Sequence, residues 1–337
     1  MAKCFFYNED CFDTMKRMQA NKYVNDIILT SPPYATSRSK VKTQKAIDTF
    51  NRRYDICLDD MNEEEYAQWT VKLFDEFDKV LSENGVILYN ISYGSESPNV
   101  MWLAMGELLK ETKFMVADTI VWKKKSALPN NVSTNKLTRI IEFVFVICRK
   151  EEYKTFRANK KVTKVGSNGQ KYYENIFNFI ESPNNDGPCS LNKATYSSDL
   201  CLQLLNIYAT NDSKVYDPFM GTGTTAVACD KFNEGTDMIC VGSELSEAQV
   251  EYSKKRLSDV RWERRQLEIP FDGVETRAVN VYNNLKHILK NEIIPELNGM
   301  EKKEGGVNDK EVNSIMELLI NEIKPLFKLY GKKLNIN

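Results

Sequence analysis

Short apolar runs alternate along the chain with longer segments whose apolar residues recur every three or four positions. The short runs are typical of buried β-strands, and the longer segments are typical of amphipathic helices. Their alternation predicts βαβ units, and therefore an α/β fold built on a mostly parallel sheet. The predicted strands are Asp26–Thr30, Gly85–Ile91, Phe114–Trp122, Glu142–Cys148, Lys214–Tyr216 and Met238–Gly242.

Capping residues define several helix ends. Asn62 precedes three glutamates and an apolar helical pattern, so it is predicted to cap a helix at its N-terminus. Gly85 is predicted to end that helix in the left-handed conformation. Ser246 is predicted to cap a helix over Glu247–Leu257, and Leu200–Tyr208 is predicted to be helical as well.

Three stretches interrupt this pattern and set the expected domain boundaries. Residues 1–149 and 191–257 are predicted to be two parts of one α/β domain. Segment 150–190 is rich in lysine, glycine and asparagine, so it is predicted to be a small inserted unit. Residues 258–337 are predicted to be a helical extension. The basic segment 35–55 is predicted to be a loop.

The formal net charge of the 337-residue chain is −1, so there is no overall attraction for a polyanion. Lysine and arginine are nevertheless concentrated in two stretches that follow predicted strands. Such stretches are often just solvated loops, and nucleic-acid contacts are the alternative that a neighbouring nucleic-acid site would favour. The candidate contacts are Arg38, Lys40, Lys42, Arg52, Arg53, Lys124, Lys125, Lys136 and Arg139.

Cysteine and histidine usage argues against a metal site or a disulfide framework. The eight cysteines include no CxxC pair, and His287 is the only histidine. The N-terminal residues become polar too soon for a signal peptide, and no apolar run reaches the roughly 18 residues of a membrane span. We therefore expect a soluble protein of the cytoplasm that holds no metal.

The first predicted strand ends in the motif Thr30-Ser31-Pro32-Pro33-Tyr34. Two prolines fix the backbone at this point and remove its N–H donors. A rigid turn is one interpretation of the motif when it is taken alone, and a ligand site is the other.

A second motif, Asp217-Pro218-Phe219-Met220-Gly221-Thr222-Gly223-Thr224-Thr225, follows a later strand. Its glycines let the backbone approach a ligand closely, and its last two threonines can cap the next helix. Open α/β sheets bind ligands at such strand ends.

The strand after this loop delivers Glu244, an acid placed to hydrogen-bond the ribose hydroxyls of an adenosine cofactor. The loop lacks the GxGxxG pattern of dinucleotide sites, so S-adenosylmethionine (SAM) fits it better than NAD does. An ordinary glycine turn with a solvated glutamate is the alternative.

Together, and in this order, the two motifs resemble those of the β-group DNA amino-methyltransferases, whose catalytic motif precedes the cofactor motif. The resemblance spans roughly residues 4–257. It implies a Rossmann-like SAM-dependent methyltransferase fold with a seven-stranded, mostly parallel sheet and helices on both faces. The segments Phe6–Cys11, Glu83–Ile91, Thr119–Lys124 and Asn192–Tyr196 also match the order of the family, the last without the proline that the family often has. Trp122 is expected to lie in the core.

The resemblance implies specific roles at the site. The Ser31 hydroxyl and the Pro32 carbonyl would accept hydrogen bonds from the target amine, and Pro33 would keep that carbonyl rigidly aimed. Tyr34 would stack on a flipped base, an interaction worth about 1–3 kcal/mol. The cofactor-binding residues would be Asp10, Thr30, Asp217, Phe219, Gly221, Gly223, Thr224, Thr225 and Glu244.

Ser31, rather than Asp, at the head of the motif favours cytosine N4 as the methylated atom within this family. Adenine N6 is the alternative, and an RNA or protein substrate is a weaker one. The implied partner is duplex DNA, whose target sequence the inserted unit 150–190 is expected to recognise. The implied setting is a restriction–modification system that could include a cognate endonuclease.

Overall fold

The computed structural model describes residues 1–33, 61–92, 98–127, 129–187, 189, 191–192, 195–233 and 236–267. Met1–Val260 form one unit, and the chain from Arg261 onward is assigned to a second. The tail beyond residue 267 lies outside the described residues. So do the predicted site residue Tyr34 and the candidate DNA contacts Arg38, Lys40, Lys42, Arg52 and Arg53.

Ten strands occur among the described residues. They are β1 (Lys3–Tyr7), β2 (Asn25–Thr30), β3 (Leu81–Ile91), β4 (Phe114–Lys124), β5 (Ile141–Arg149), β6 (Val162–Val165), β7 (Lys171–Tyr173), β8 (Phe179–Ser182), β9 (Lys214–Asp217) and β10 (Ile239–Ser243). Eight of them form one sheet in the order β1-β10-β9-β2-β3-β5-β4-β8, and β6 and β7 form a separate two-stranded ribbon. Only β5 runs antiparallel to its neighbours in the large sheet. The mostly parallel sheet is therefore confirmed.

Six α-helices lie within the described part of the chain, and two of them begin where the sequence predicts. The helices are α1 (Cys11–Ala20), α2 (Glu63–Val80), α3 (Val100–Glu111), α4 (Ser198–Tyr208), α5 (Thr224–Lys231) and α6 (Glu247–Leu267). Asn62 and Glu65 form a reciprocal capping box at the start of α2, with both hydrogen bonds 2.9 Å long. Ser246 Oγ accepts from Gln249 N at 3.3 Å at the start of α6. None of the described helices is long and apolar enough to cross a membrane.

The core consists of two apolar layers, one on each face of the sheet. Alternate residues of β2 separate into these layers: Ile28 packs with α1, α2 and α3, whereas Ile27 and Leu29 pack with α4 and α5. Because helices cover both faces, the strands are apolar on both sides rather than alternately polar. Trp122 is 2% exposed within the second layer, so its expected place in the core is confirmed.

The predicted end of α2 is wrong. The helix ends at Val80 and β3 begins at the next residue, so no glycine stop separates them. The left-handed residue is Asn84, with φ of 57°, and it lies inside β3. Gly85 is needed for packing instead, since a Cβ there would lie 2.8 Å from the side chain of Leu81.

Segment 150–190 contributes to two structures. The β6–β7 ribbon stands apart, whereas β8 extends the main sheet by pairing in parallel with the end of β4, from Val121 with Phe179 to Lys124 with Ser182. Since β8 has only four residues and ends in polar ones, periodicity gave no signal for it, and the sheet has eight strands rather than seven. Helix α6 begins at Glu247, as predicted, and continues past Leu257 to Leu267.

Candidate active site

A cleft lies at the carboxyl ends of β1, β10, β9 and β2, which are consecutive in the sheet. Parallel strands bring their carboxyl ends to one edge, and the loops that follow them form a crevice there. Eight of the predicted site residues line this cleft. They are Asp10, Ser31, Pro32, Pro33, Phe219, Gly221, Thr224 and Glu244.

One hydrogen bond joins the two sequence motifs. Strands β2 and β9 are neighbours, with Ile28 opposite Tyr216, so both motifs leave the sheet side by side. Thr30 Oγ1 then donates to Asp217 Oδ1 at 2.8 Å, across 187 positions of sequence. Ser31 is thereby held directly beside the start of the glycine loop, which we define as Asp217–Thr224.

Asp217 supports this loop from below instead of lining the cleft. Its side chain is 1% exposed, and three further donors reach it. Phe219 N donates to Oδ1 at 3.1 Å, and the hydroxyls of Thr225 and Tyr196 donate to Oδ2 at 2.6 and 3.2 Å. Thr30, Gly223 and Thr225 are also buried beneath the cleft. These four predicted cofactor residues are therefore brought together as a scaffold for the loop.

Burial changes the acidity of this cluster. Desolvation raises the pKa of Asp217 above its ordinary value, against the opposing effect of the hydrogen bonds from Thr225, Thr30, Phe219 N and Tyr196. Desolvation also raises the pKa of Tyr196, and the Asp217 carboxylate adds to that increase. Tyr196 therefore stays a neutral hydroxyl donor at physiological pH.

Two glycines of the loop have left-handed backbones, with φ of 53° at Gly221 and 77° at Gly223. A Cβ on Gly223 would lie 2.8 Å from Cβ of Ser253, because α6 packs directly on the loop. Gly223 is also the N-cap of α5, and no side chain caps that helix. The predicted capping by Thr224 and Thr225 is therefore wrong, since Thr225 uses its hydroxyl on Asp217.

Two acidic residues that line the cleft, Glu244 and Asp10, are fixed by backbone N–H groups. Glu244 accepts from Gly221 N at Oε2 and from Ser246 N at Oε1, both at 2.9 Å. Asp10 is the N-cap of α1 and accepts from Phe12 N at 2.8 Å. Each carboxylate oxygen can accept a second hydrogen bond, so both groups keep acceptor capacity for a ligand.

An aromatic wall of the cleft adds two residues, Tyr66 and Trp69, to the site residues predicted from the sequence. Trp69 packs against Tyr66 and Phe219, with ring centroids 5.4 and 5.7 Å away. All three rings line the cleft. Trp69 and Tyr66 occur in the apolar stripe of α2, and a stripe by itself does not tell which members face the core and which face a ligand.

The candidate basic residues after β4 differ in their surroundings. Lys124 forms an ion pair with Glu142 and lies 5.0 Å from the ring centroid of Trp122. Lys125, Lys136 and Arg139 are exposed on the β4–β5 loop, residues 125–140, at the carboxyl edge of the sheet. This loop therefore lies on the same edge as the cleft, as the sequence predicts.

Known proteins are similar to this chain in sequence and in fold. The model of a family described as DNA methylase matches residues 25–255. The Type II methyltransferase M.SmaI of Serratia marcescens is 24% identical over 69% of this chain and 84% of its own length. The Type II methyltransferase M2.MboI of Moraxella bovis is 23% identical over 75% of this chain and 87% of its own.

Among solved structures, the PvuII DNA methyltransferase (cytosine-N4-specific) aligns with a TM-score of 0.53 at 15% identity. The alignment covers 77% of this chain and 92% of that protein. It supports the α/β architecture with a mostly parallel sheet.

Proposed function

The chain belongs to the DNA methylase family, and we propose that it transfers a methyl group to the exocyclic N4 amine of a flipped cytosine in duplex DNA. The observation that carries this proposal is the hydrogen bond between Thr30 and Asp217, which fixes Ser31 beside the glycine loop. A methyl donor and a target amine must meet in line, and this junction places the candidate groups for both at one edge.

The methyl donor of the family is SAM, whose sulfonium supplies an electrophilic methyl group. The residues of the cleft fit such a molecule. Glu244 offers a fixed carboxylate for ribose hydroxyls, Asp10 offers an acceptor near the end of β1, and Phe219 offers an apolar face. Gly221 leaves the backbone accessible beside them.

Ser31 and Pro32 would act on the target amine. The lone pair of an exocyclic amine is delocalised into the base, which makes the nitrogen a weak nucleophile. Acceptors at Ser31 Oγ and at the Pro32 carbonyl would hold the two amine hydrogens and favour a pyramidal nitrogen. Both residues line the cleft, and Pro32 is buried, which suits a rigid acceptor.

Ser31 favours cytosine N4 over adenine N6, because it occupies the position where adenine-directed relatives mostly have Asp. Adenine N6 is the second candidate, because either side chain can accept a hydrogen bond from an amine.

The β6–β7 ribbon is our candidate for target recognition within segment 150–190. No acidic residue occurs between Tyr153 and Tyr173. Among the described residues, no carboxylate pairs with the exposed cations of this stretch. They are Lys154, Arg157, Lys160, Lys161, Lys164 and Lys171.

The ribbon also exposes apolar surface that nothing in the described chain covers. Tyr172 and Tyr173 are 52% and 51% exposed, and both faces of the ribbon are open. An isolated two-stranded ribbon is marginally stable, and the major groove of DNA admits such a ribbon. Its positive charge suits contacts with DNA phosphates, and such contacts make DNA binding weaker as the salt concentration rises.

The Type II relatives suggest the biological setting. We propose that the enzyme protects cytoplasmic DNA within a restriction–modification system, beside a cognate endonuclease that need not contact it.

Incubation with SAM and unmethylated genomic DNA, followed by nucleoside mass spectrometry, tests the proposal. A 4-methylcytosine peak that is absent without SAM is the expected result. An N6-methyladenine peak would overturn the choice of base but keep the reaction. No methylated nucleoside, with SAM binding intact, would overturn DNA as the substrate.

A further inference from the structure

We propose that Arg256 of α6, paired with Asp186, is a positioning residue that holds the glycine loop in the conformation that binds SAM. This inference rests on the proposed placement of SAM in the cleft. It concerns a residue that belongs to neither sequence motif and does not line the cleft.

One face of α6 carries a polar stripe aimed at the glycine loop. Gln249, Ser253 and Arg256 are spaced by four and three positions, so they share a face of the helix. The single hydroxyl proton of Ser253 is shared between Gly221 O, 3.0 Å from Oγ, and Gln249 O, 2.8 Å from Oγ. Arg256 donates through Nη1 to Thr222 O at 2.9 Å and to Thr224 Oγ1 at 3.1 Å.

These contacts fix the direction of consecutive peptide groups in the loop. The carbonyls of Gly221 and Thr222 both point at α6, where Ser253 and Arg256 hold them. In a planar trans peptide the N–H points opposite to the C=O, so the N–H of Thr222 faces away from α6. Thr222 lines the cleft. The stripe therefore determines which backbone groups the loop presents to a ligand.

The other terminal nitrogen of Arg256, Nη2, connects the loop to another wall of the cleft. It donates a hydrogen bond to Asp186, which follows β8. Asp186 also accepts from Ser198 N, at 2.9 Å to Oδ1, and so is fixed to the start of α4. Between Asp186 and α4 the chain passes through Asn192 and Thr195, which line the cleft. Asn192 in turn donates to Gln249 on α6 at 3.0 Å.

The Arg256 and Asp186 side chains are 16% and 29% exposed, so water screens this pair only in part. A charge-assisted hydrogen bond of this kind is stronger than a neutral one. Loss of Arg256 would free the Thr222 carbonyl, the Thr224 hydroxyl and the segment behind Asp186 together. We expect SAM binding to weaken as a result, because the glycine loop and the segment behind Asp186 both form walls of the cleft where we propose that the cofactor binds.

The test compares Arg256→Gln, Arg256→Lys, Asp186→Asn and the double variant Arg256→Gln/Asp186→Asn with the full-length wild type. Calorimetric titration with SAM and with S-adenosylhomocysteine measures cofactor affinity. Fluorescence anisotropy measures DNA affinity, and thermal unfolding of the free protein measures stability. Lys254→Gln is the matched control, since Lys254 pairs only with Glu251 on the same helix among the described residues.

We expect Arg256→Gln to weaken SAM binding about tenfold or more, with the melting temperature and DNA affinity close to wild type. Arg256→Lys should bind SAM more tightly than Arg256→Gln but less tightly than the wild type. Lysine keeps the positive charge but lacks the two terminal nitrogens of the guanidinium group. The double variant should be no worse than Arg256→Gln alone, which identifies the pair as one unit.

A SAM affinity of Arg256→Gln within twofold of wild type would overturn the proposal. So would a loss of SAM affinity that only follows a matching loss of stability. If Arg256→Gln fails to fold, Arg256→Lys and Asp186→Asn decide in the same way. Failure of the wild-type protein to bind SAM would instead contradict the proposed site itself.

Discussion

The buried side of the cleft around Asp217 differs from the exposed β4–β5 loop and β6–β7 ribbon in how its polar groups are used. Around Asp217 the donors and acceptors are buried and bonded to one another, with Asp217 1% and Thr225 0% exposed. On the β4–β5 loop, by contrast, Val132 and Leu137 are 93% and 88% exposed beside exposed basic residues. The β6–β7 ribbon resembles this loop rather than the buried side of the cleft.

This difference follows from the partners that we propose for the two regions. A small cofactor is bound well by a site whose geometry is fixed beforehand, because little ordering is needed on binding. A DNA duplex offers a large charged surface, and the groups that contact it must stay exposed until it arrives. Substitutions in the buried region should therefore have larger effects than substitutions on the exposed loops.

Gly221→Val should have the largest effect. A branched residue at φ of 53° is strained, and its Cβ would lie 3.2 Å from Asn192 Nδ2 inside the cleft. We expect SAM binding to be abolished, measured by calorimetry. Gly106→Ala is the control, since nothing lies within 4 Å of a Cβ there and Ala favours a helix. Retained SAM affinity in Gly221→Val would contradict the placement of the cofactor.

Asp217→Ala should destabilise the protein by about 3–5 kcal/mol, because it leaves several buried donors without an acceptor. Denaturant unfolding measures this change. Asp237→Ala, an exposed aspartate, should change stability by less than about 0.5 kcal/mol. Equal effects of the two substitutions would show that the Asp217 cluster is not a scaffold.

The raised pKa of Asp217 gives a pH dependence of known sign. Just above the ordinary value of 3.8, the folded state binds more protons than the unfolded state, so this group lowers stability as pH rises. In Asp217→Asn that contribution is absent, and the free energy of unfolding should fall less steeply with pH. A steeper fall in the variant would contradict the direction of the shift.

Ser31→Ala should lower kcat by about 10²–10³-fold, the cost of losing one positioned hydrogen-bond group at a reacting centre. SAM affinity should stay unchanged, because the Ser31 hydroxyl is proposed to contact only the target amine. Single-turnover methylation of a DNA substrate measures the rate. A rate within a few-fold of wild type would refute the proposed role.

Lys164→Gln/Lys171→Gln in the ribbon should have the smallest effect. Loss of two phosphate contacts should weaken DNA binding and lower the slope of log affinity against log salt by about 1.8. SAM affinity should not change. Lys16→Gln/Lys22→Gln is the control pair, exposed on α1 and just after it. If the two double variants show the same salt slope, the ribbon does not contact DNA.

The sequence by itself determined six strands of the main sheet, the helices α2, α4 and α6, and the identity of the two motifs. Strands such as β2 and β9 are short apolar runs that end close to a proline, and the Asn62 cap is a local hydrogen-bond pattern. Local sequence contains such information because helix caps and buried strands depend on neighbouring residues. The motifs were recognised for the same reason, since each is one short segment.

Only the tertiary structure decided which residues of those motifs line the cleft and which support it from the buried side. Asp217 and Thr225 turned inward and Glu244 turned to the cleft, because Thr30, Tyr196 and Gly221 arrive from distant parts of the chain. Arg256, Trp69 and β8 gave no local signal either, since each acquires its role through a contact with another element. Long-range packing sets which donors meet which acceptors, and periodicity along the chain does not contain that pairing.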